Sequence, residues 1–137
     1  MSKPLLSNAA AGDALFGIVK HLNQGKMNQF SLISGGQGAQ HLDAEYARTS
    51  PYGTTIALGH MLTGYVEEML KNNFGIPWMK SGFLDAKLIY PARAGETLVA
   101  GGTVTRVENQ FVVSEVWLKN SEGRLLVVGE ASFSNQD

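Results

Sequence analysis

The chain is 137 residues long, contains no cysteine, and sets 11 Lys and Arg against 12 Asp and Glu for a formal charge of −1. With 44% hydrophobic and 17% charged residues, it has the makeup of one folded domain, expected to span 1–137 and to bury its own core. The near-neutral balance gives no electrostatic case for nucleic acid or an anionic membrane, and the lack of thiols excludes disulfides, a cysteine nucleophile and sulfur-bound metal.

The opening "MSKPLLSNAAAGDALF" lacks the long apolar core of a signal peptide. No run approaches the ~18 apolar residues of a membrane span, so a cytoplasmic location and no membrane partner are expected. "AGDALFGIVKHLNQG" reads as a first strand, with Gly25 closing it. "KMNQFSLIS" fits a strand or a short helix, ended in either case by Gly35, Gly36 and Gly38. "LDAEYARTS" offers helix formers behind a capping Asp43, with Pro51 marking the end.

From Thr54 the pattern predicts a longer helix, "TTIALGHMLTGYVEEMLKNNFG". Leu58, Leu62, Tyr65 and Met69 recur at helical steps as its apolar stripe. His60, Gly64, Glu67 and Lys71 form the opposite one, with Glu67 and Lys71 spaced for an ion pair. Thr54 or Thr55 is expected to cap the start, and Gly75 to stop it.

After "GIPW" the texture turns to β: "SGFLDAKLIYPA", "ETLVAGGTVTRVEN", "QFVVSEVWLKN" and "RLLVVGEASFS". "ENQ" at 108–110 and "NSEG" at 120–123 read as tight hairpin connections. In "QFVVSEVWLKN" both alternating sets are largely apolar, so both faces are expected to be covered in part. One strand, a long helix and four consecutive antiparallel strands make an α+β arrangement, a central helix wrapped by a curved antiparallel sheet. Gly101–Gly102 would supply the bend or bulge. Such a sheet leaves an edge, so pairing with a second copy or another subunit is expected.

"FSLISGGQGAQHLDAEYART" and "YGTTIALGHML", with "LIYPARAGETLVAGGTV" further on, resemble the MaoC-like, (R)-specific enoyl-CoA hydratase branch of the hot-dog superfamily. That family carries S-G-D-x-N-P-x-H-x-D before a short helix, I-A-H-G at the entry of the central helix, and F-x-x-P-V-x-x-G-D-x-L at a strand entry. The resemblance runs from about Ala11 to Phe133, in the same order. It implies a hot-dog fold and hydration or dehydration of an enoyl thioester or related polyketide-like substrate. No cofactor is implied beyond coenzyme A as carrier of the substrate.

The resemblance further implies that an Asp and a His hold the reacting water, while a backbone N–H at the helix start stabilises the thioester oxyanion. Carried onto this chain, the His falls on His41, the following acid on Asp43 and the oxyanion glycine on Gly59. Gly36 stands where the family has its catalytic Asp, Gly38-Ala39 where it has Asn-Pro, and Leu58 where I-A-H-G has its His.

Each candidate has a plainer role beside the chemical one. His41 is an acid–base candidate or a hydrogen-bonded loop histidine. Asp43 is a substitute carboxylate or a helix N-cap. Gly59, unfavourable by about 1 kcal/mol in a helix relative to Ala, exposes an N–H to a ligand or permits close packing. Gly64, one turn on, suits close approach to the sheet or another chain. His60 and Glu67 are sources of a missing acid or base, or a solvated stripe. Trp78 and Met79 line an acyl pocket or pack in the core, and Arg93 meets a phosphate of coenzyme A or lies solvated in a loop. His21, His41 and His60 are not at metal-binding spacing.

Two other functions fit the same fold. One is a non-catalytic or pocket-forming subunit pairing with a motif-bearing hot-dog chain, which the glycine at 36 suits. The other is an acyl-CoA thioesterase using Glu67 to activate water at the thioester carbonyl. The partners expected are an acyl thioester or other small molecule, a second copy in a homodimer or homo-oligomer, or a second hot-dog subunit.

Overall fold

The computed structural model describes residues 8–36 and 38–135. The first seven residues, part of the stretch read above for a signal core, and Gln37 of the glycine-rich segment lie outside them. In chain order the elements are β1 (Ile18–His21), α1 (Gln24–Ser34), α2 (Ala39–Leu42), α3 (Ala44–Arg48), α4 (Gly59–Phe74), α5 (Ile76–Ser81), β2 (Phe83–Leu88), β3 (Thr97–Glu108), β4 (Phe111–Asn120) and β5 (Leu125–Ser134). The strands form one antiparallel sheet in the order β1-β3-β4-β5-β2. This is the α+β arrangement expected, a long helix against an antiparallel sheet.

The helix α4 forms because its apolar residues fall on one face. Met61, Leu62, Val66, Met69, Leu70 and Phe74 are buried, while His60, Glu67 and Lys71 are exposed. The buried face meets Leu98, Ala100 and Val104 of β3, Val112, Val116 and Leu118 of β4, and Leu126, Val127 and Phe133 of β5. Each large side chain so buried contributes about 1.5–3 kcal/mol. Phe133 anchors one end, 4.5 Å from the Phe74 ring and edge-on to Trp78 at 6.4 Å.

One polar residue belongs to this core. The Asn73 side chain, fully buried, accepts from Phe16 N–H at 2.8 Å and donates to Phe16 O at 2.9 Å and Met69 O at 2.8 Å. It clamps the segment before β1 onto the end of α4, with its buried amide satisfied as burial requires.

Several boundaries differ from the sequence expectation. Gly25 does not close a strand. It lies in the first turn of α1, whose cap is Asn23, the side chain accepting from Lys26 N–H. "KMNQFSLIS" is thus helical, and Gly35 ends it in the left-handed region at φ 84°, as a glycine cap does.

Neither Thr54 nor Thr55 caps α4, because the chain from Thr55 to Ala57 is extended against 92–94. Ala57 N–H donates to Ala92 O and Ala94 N–H to Thr55 O, and Ile56 bridges Arg93. Leu58 is the N-cap residue, so it precedes the helix rather than opening its apolar stripe. Tyr65 is partly buried against the core. "IPWMKS" forms the additional helix α5, with Pro77 in its first turn, where a missing N–H is harmless.

The four C-terminal strands are not paired in chain order. β2 crosses to the far edge beside β5, and β1 rather than β2 flanks β3. The register shift in β3 falls between Val104 and Arg106, not at Gly101–Gly102. Those glycines instead allow close approach: a Cβ at Gly101 would lie 3.0 Å from the Trp117 ring, and one at Gly102 2.5 Å from Glu115 O.

The hairpin turns stand where expected. In "ENQ" both Asn109 (φ 50°) and Gln110 (φ 65°) take positive φ, as a two-residue hairpin loop demands. In "NSEG" the Asn120 side chain accepts from Glu122 and Arg124 N–H.

Candidate active site

The segment holding His41 is tied down at three points. Its N–H donates to Gly38 O at 3.0 Å within α2, its carbonyl accepts from Gln24 Nε2 at 2.8 Å, and its ring Nδ1 lies 2.6 Å from Ile56 O. Gln24 in turn accepts from the Thr55 hydroxyl, so α1, α2 and the extended strip before α4 form one connected unit. A carbonyl can only accept, so His41 Nδ1 carries the hydrogen. In the neutral ring this leaves Nε2 with its lone pair, the tautomer a general base needs.

His41 lines a cavity of about 330 Å³ with Tyr52, Ile56, Ala57, Gly59, Leu62, Leu88, Ile89, Tyr90 and Pro91. No carboxylate is among these residues. Asp43, two places from the histidine, caps α3: its Oδ1 accepts from Glu45 N–H at 3.0 Å and Tyr46 N–H at 3.1 Å. Its side chain is exposed and engaged there.

At Gly36 the space for a side chain is filled. A Cβ added there would lie 2.7 Å from Leu58 Cδ1 and 2.9 Å from Cδ2. Gly36 and Leu58, two of the positions that differ from the motif of the resemblance, are therefore neighbours in space, an apolar tip lying against the glycine.

Gly59, the first residue of α4, has a related geometry: a Cβ there would meet Leu88 Cδ1 at 2.5 Å. The glycine lets the end of β2 close over the helix N-terminus. First-turn N–H groups of a helix have no intrahelical acceptor and favour negative charge. The cavity thus brings together a histidine and a helix N-terminus.

Tyr90 and Tyr52 also line it, and neither was singled out from sequence. The Tyr90 phenol accepts from Arg93 Nη2 at 3.2 Å, and the Arg124 guanidinium lies 3.5 Å from its ring centroid. Hydrogen bonding and charge from Arg93 hold the phenol below its ordinary value, with Arg124 adding to the effect and partial burial and Glu96 opposing it. The i, i+3 spacing of Tyr90 and Arg93 was the available signal, but Arg124 comes from the distant β4–β5 turn. Arg93 also donates through Nε to Tyr52 O and is thereby held in place at the site.

The remaining candidates lie elsewhere. Gly64, Glu67, Lys71, Trp78 and Met79 line a second cavity of about 450 Å³ with Glu68 and Gly82. Glu67 is eight residues along α4 from Gly59, roughly 12 Å at the helical rise. Trp78 is buried in the core, Met79 is exposed, and His60 is exposed on the outer face of α4. Among the described residues α4 forms its ion pair through Glu68 with Lys20 of β1 at 2.8 Å, rather than Glu67 with Lys71. Among the described residues no helix is long and apolar enough to cross a membrane.

No protein-family model and no curated protein matches the chain, whereas solved structures do. R-hydratase PhaJ1 from Pseudomonas aeruginosa is similar at a TM-score of 0.82 and 20% identity, over 93% of this chain and 83% of that one. The MaoC-like dehydratase from Rhodospirillum rubrum gives 0.76 and 18%, over 98% and 99%. A chain of the ChsH1-ChsH2 complex from Mycobacterium tuberculosis gives 0.80 and 19%, over 91% and 97%. The chain therefore has the fold of MaoC-like (R)-hydratases and dehydratases, at identities that speak to fold alone.

Proposed function

We propose that this chain is a single MaoC-like hot-dog domain that adds water reversibly to an enoyl thioester, with His41 as the acid–base group. The observation that carries the proposal is the His41 ring. Its Nδ1 is held by Ile56 O at 2.6 Å and it shares one cavity with Gly59 at the N-terminus of α4. A base and an oxyanion-stabilising helix end are two of the parts that conjugate addition of water requires.

In this reading the substrate's C2=C3 bond lies beside His41, and its carbonyl oxygen faces the Gly59 N–H. Leu62, Leu88 and Ile89 line the acyl side of the cavity. Arg93, bonded to Tyr52 and Tyr90 of the cavity lining, suits a phosphate of coenzyme A. The similarity to hydratase and dehydratase structures supports the reaction class. A cytoplasmic site of action goes with a coenzyme A thioester substrate.

The test is consumption of a trans-2-enoyl-CoA, followed by loss of the enoyl absorbance, in the parent and in His41→Ala. The parent is expected to turn over, and His41→Ala to lose about 10²–10⁴-fold in kcat. Unchanged turnover in His41→Ala removes the assignment.

A second reading is favoured by Gly36 and Leu58. With an apolar tip in place of the motif carboxylate, the chain would shape the pocket of a partner subunit that carries the acid, and one similar structure is of a two-component complex. It predicts an inactive isolated chain whose activity appears with a second hot-dog subunit. The thioesterase alternative has less support, because Glu67 lines a different cavity from Gly59.

A further inference from the structure

The cavity around His41 has no carboxylate lining it, yet addition of water needs a proton delivered to C2 as well as one removed from water. The ionisable groups lining the cavity are His41, Tyr52 and Tyr90. Only Tyr90 is gripped by cations: Arg93 Nη2 donates to its oxygen at 3.2 Å, the Arg93 guanidinium carbon is 5.3 Å from its ring centroid, and that of Arg124 is 3.5 Å away.

Those cations are not neutralised by ion pairs. Among the described residues the ion pairs are Lys20–Glu68 and Arg48–Glu45. The nearby Glu96 carboxylate is occupied by Arg93 N–H and Asn120 Nδ2. Two guanidiniums converging on one phenol favour the phenolate, the state a proton donor leaves behind.

We propose that Tyr90 is the second proton-transfer residue of this site, donating its phenolic proton to C2 of the substrate, with Arg93 and Arg124 as positioning residues that stabilise the phenolate. This rests on the hydratase reading. The proton of the attacking water passes to His41 Nε2 as its oxygen bonds to C3. The π pair of C2=C3 moves to C2 and the carbonyl, giving an enolate facing the Gly59 N–H. C2 then takes the proton from Tyr90, and the imidazolium returns its proton to the phenolate through solvent. Both side chains end as they began, and the product gains one hydroxyl at C3 and one hydrogen at C2.

The groups that set the titration of Tyr90 are Arg93 on its own loop, Arg124 from the β4–β5 turn and Glu96; His41 and Tyr52 are the other titratable groups lining the cavity. The donor must be protonated, so the rate falls as pH rises through the phenol's titration, which the two arginines place below the ordinary tyrosine value.

The experiment is the pH–rate profile for hydration of a trans-2-enoyl-CoA by the parent, Tyr90→Phe, Arg93→Gln and Arg124→Gln. Tyr90→Phe is expected to lower kcat about 10²–10⁴-fold with little change in KM, and to lose the alkaline limb. Arg93→Gln and Arg124→Gln should move that limb to higher pH. Parent-like kcat in Tyr90→Phe, or reduced kcat with the alkaline limb unmoved, overturns the role of Tyr90 and leaves His41 in place. No turnover by the parent overturns the hydratase reading, and the Tyr90 role with it.

Discussion

Gly36 and Leu58 act as one feature, because the leucine tip occupies the space that a side chain at 36 would enter. An Asp placed at 36 alone would push against that flexible tip and sit beside methyl groups, where a carboxylate is poorly solvated. Gly36→Asp combined with Leu58→Ala should therefore exceed Gly36→Asp alone in kcat/KM on an enoyl-CoA, by about tenfold or more, the double variant regaining part of a ~10²–10⁴-fold acid–base contribution. Equal values for the two would show that the positions are not coupled. His41 was legible in the sequence because the order of the surrounding motif marks it, and Asp43 because helix formers follow it directly. Tyr90 was not, since its significance comes from an arginine 34 positions away that only the folded sheet brings over its ring. The glycine at 36 could be noticed in sequence, whereas the leucine tip filling the space beside it could not.

Helices and strands were legible where one face is buried and polar residues lie opposite, as in α4 beyond Gly59. The start of α4 was misplaced because "TTIAL" satisfies helical spacing, yet its backbone hydrogen bonds go to Gln40, Ala92 and Ala94. The segment is strand-like because a partner is available, and that partner is distant in sequence. The core clamp at Asn73 is testable. Asn73→Ala leaves the Phe16 N–H and C=O without their partners, and is expected to destabilise by about 2 kcal/mol, read as a lower urea midpoint at unchanged slope. A midpoint equal to the parent's would show that the clamp contributes nothing. In the β3–β4 turn, Gln110 at φ 65° occupies a conformation that suits glycine. Gln110→Gly should raise stability by about 0.5–1 kcal/mol, and a fall in the midpoint would contradict this.

At the scale of the whole molecule, the order β1-β3-β4-β5-β2 leaves β2 as an outer strand with Phe83 66% and Leu88 55% exposed, and Ile89 just beyond. Local patterns revealed the strands but not this order, because the link from β2 to β3 passes over two intervening strands. An apolar edge of this kind invites pairing with another chain. The isolated protein is expected to sediment at twice the 14.7 kDa chain mass, and Phe83→Lys at the chain mass; a parent that sediments as a monomer would contradict pairing through this edge. The activity itself is tested most directly by following oxygen from labelled water. When the protein acts on a trans-2-enoyl-CoA in H₂¹⁸O, the label should appear in the C3 hydroxyl of a thioester that remains intact, and should be lost in His41→Ala. Label in a released carboxylate would identify thioester hydrolysis, and no incorporation would identify a chain that does not act alone; either result contradicts hydration through His41.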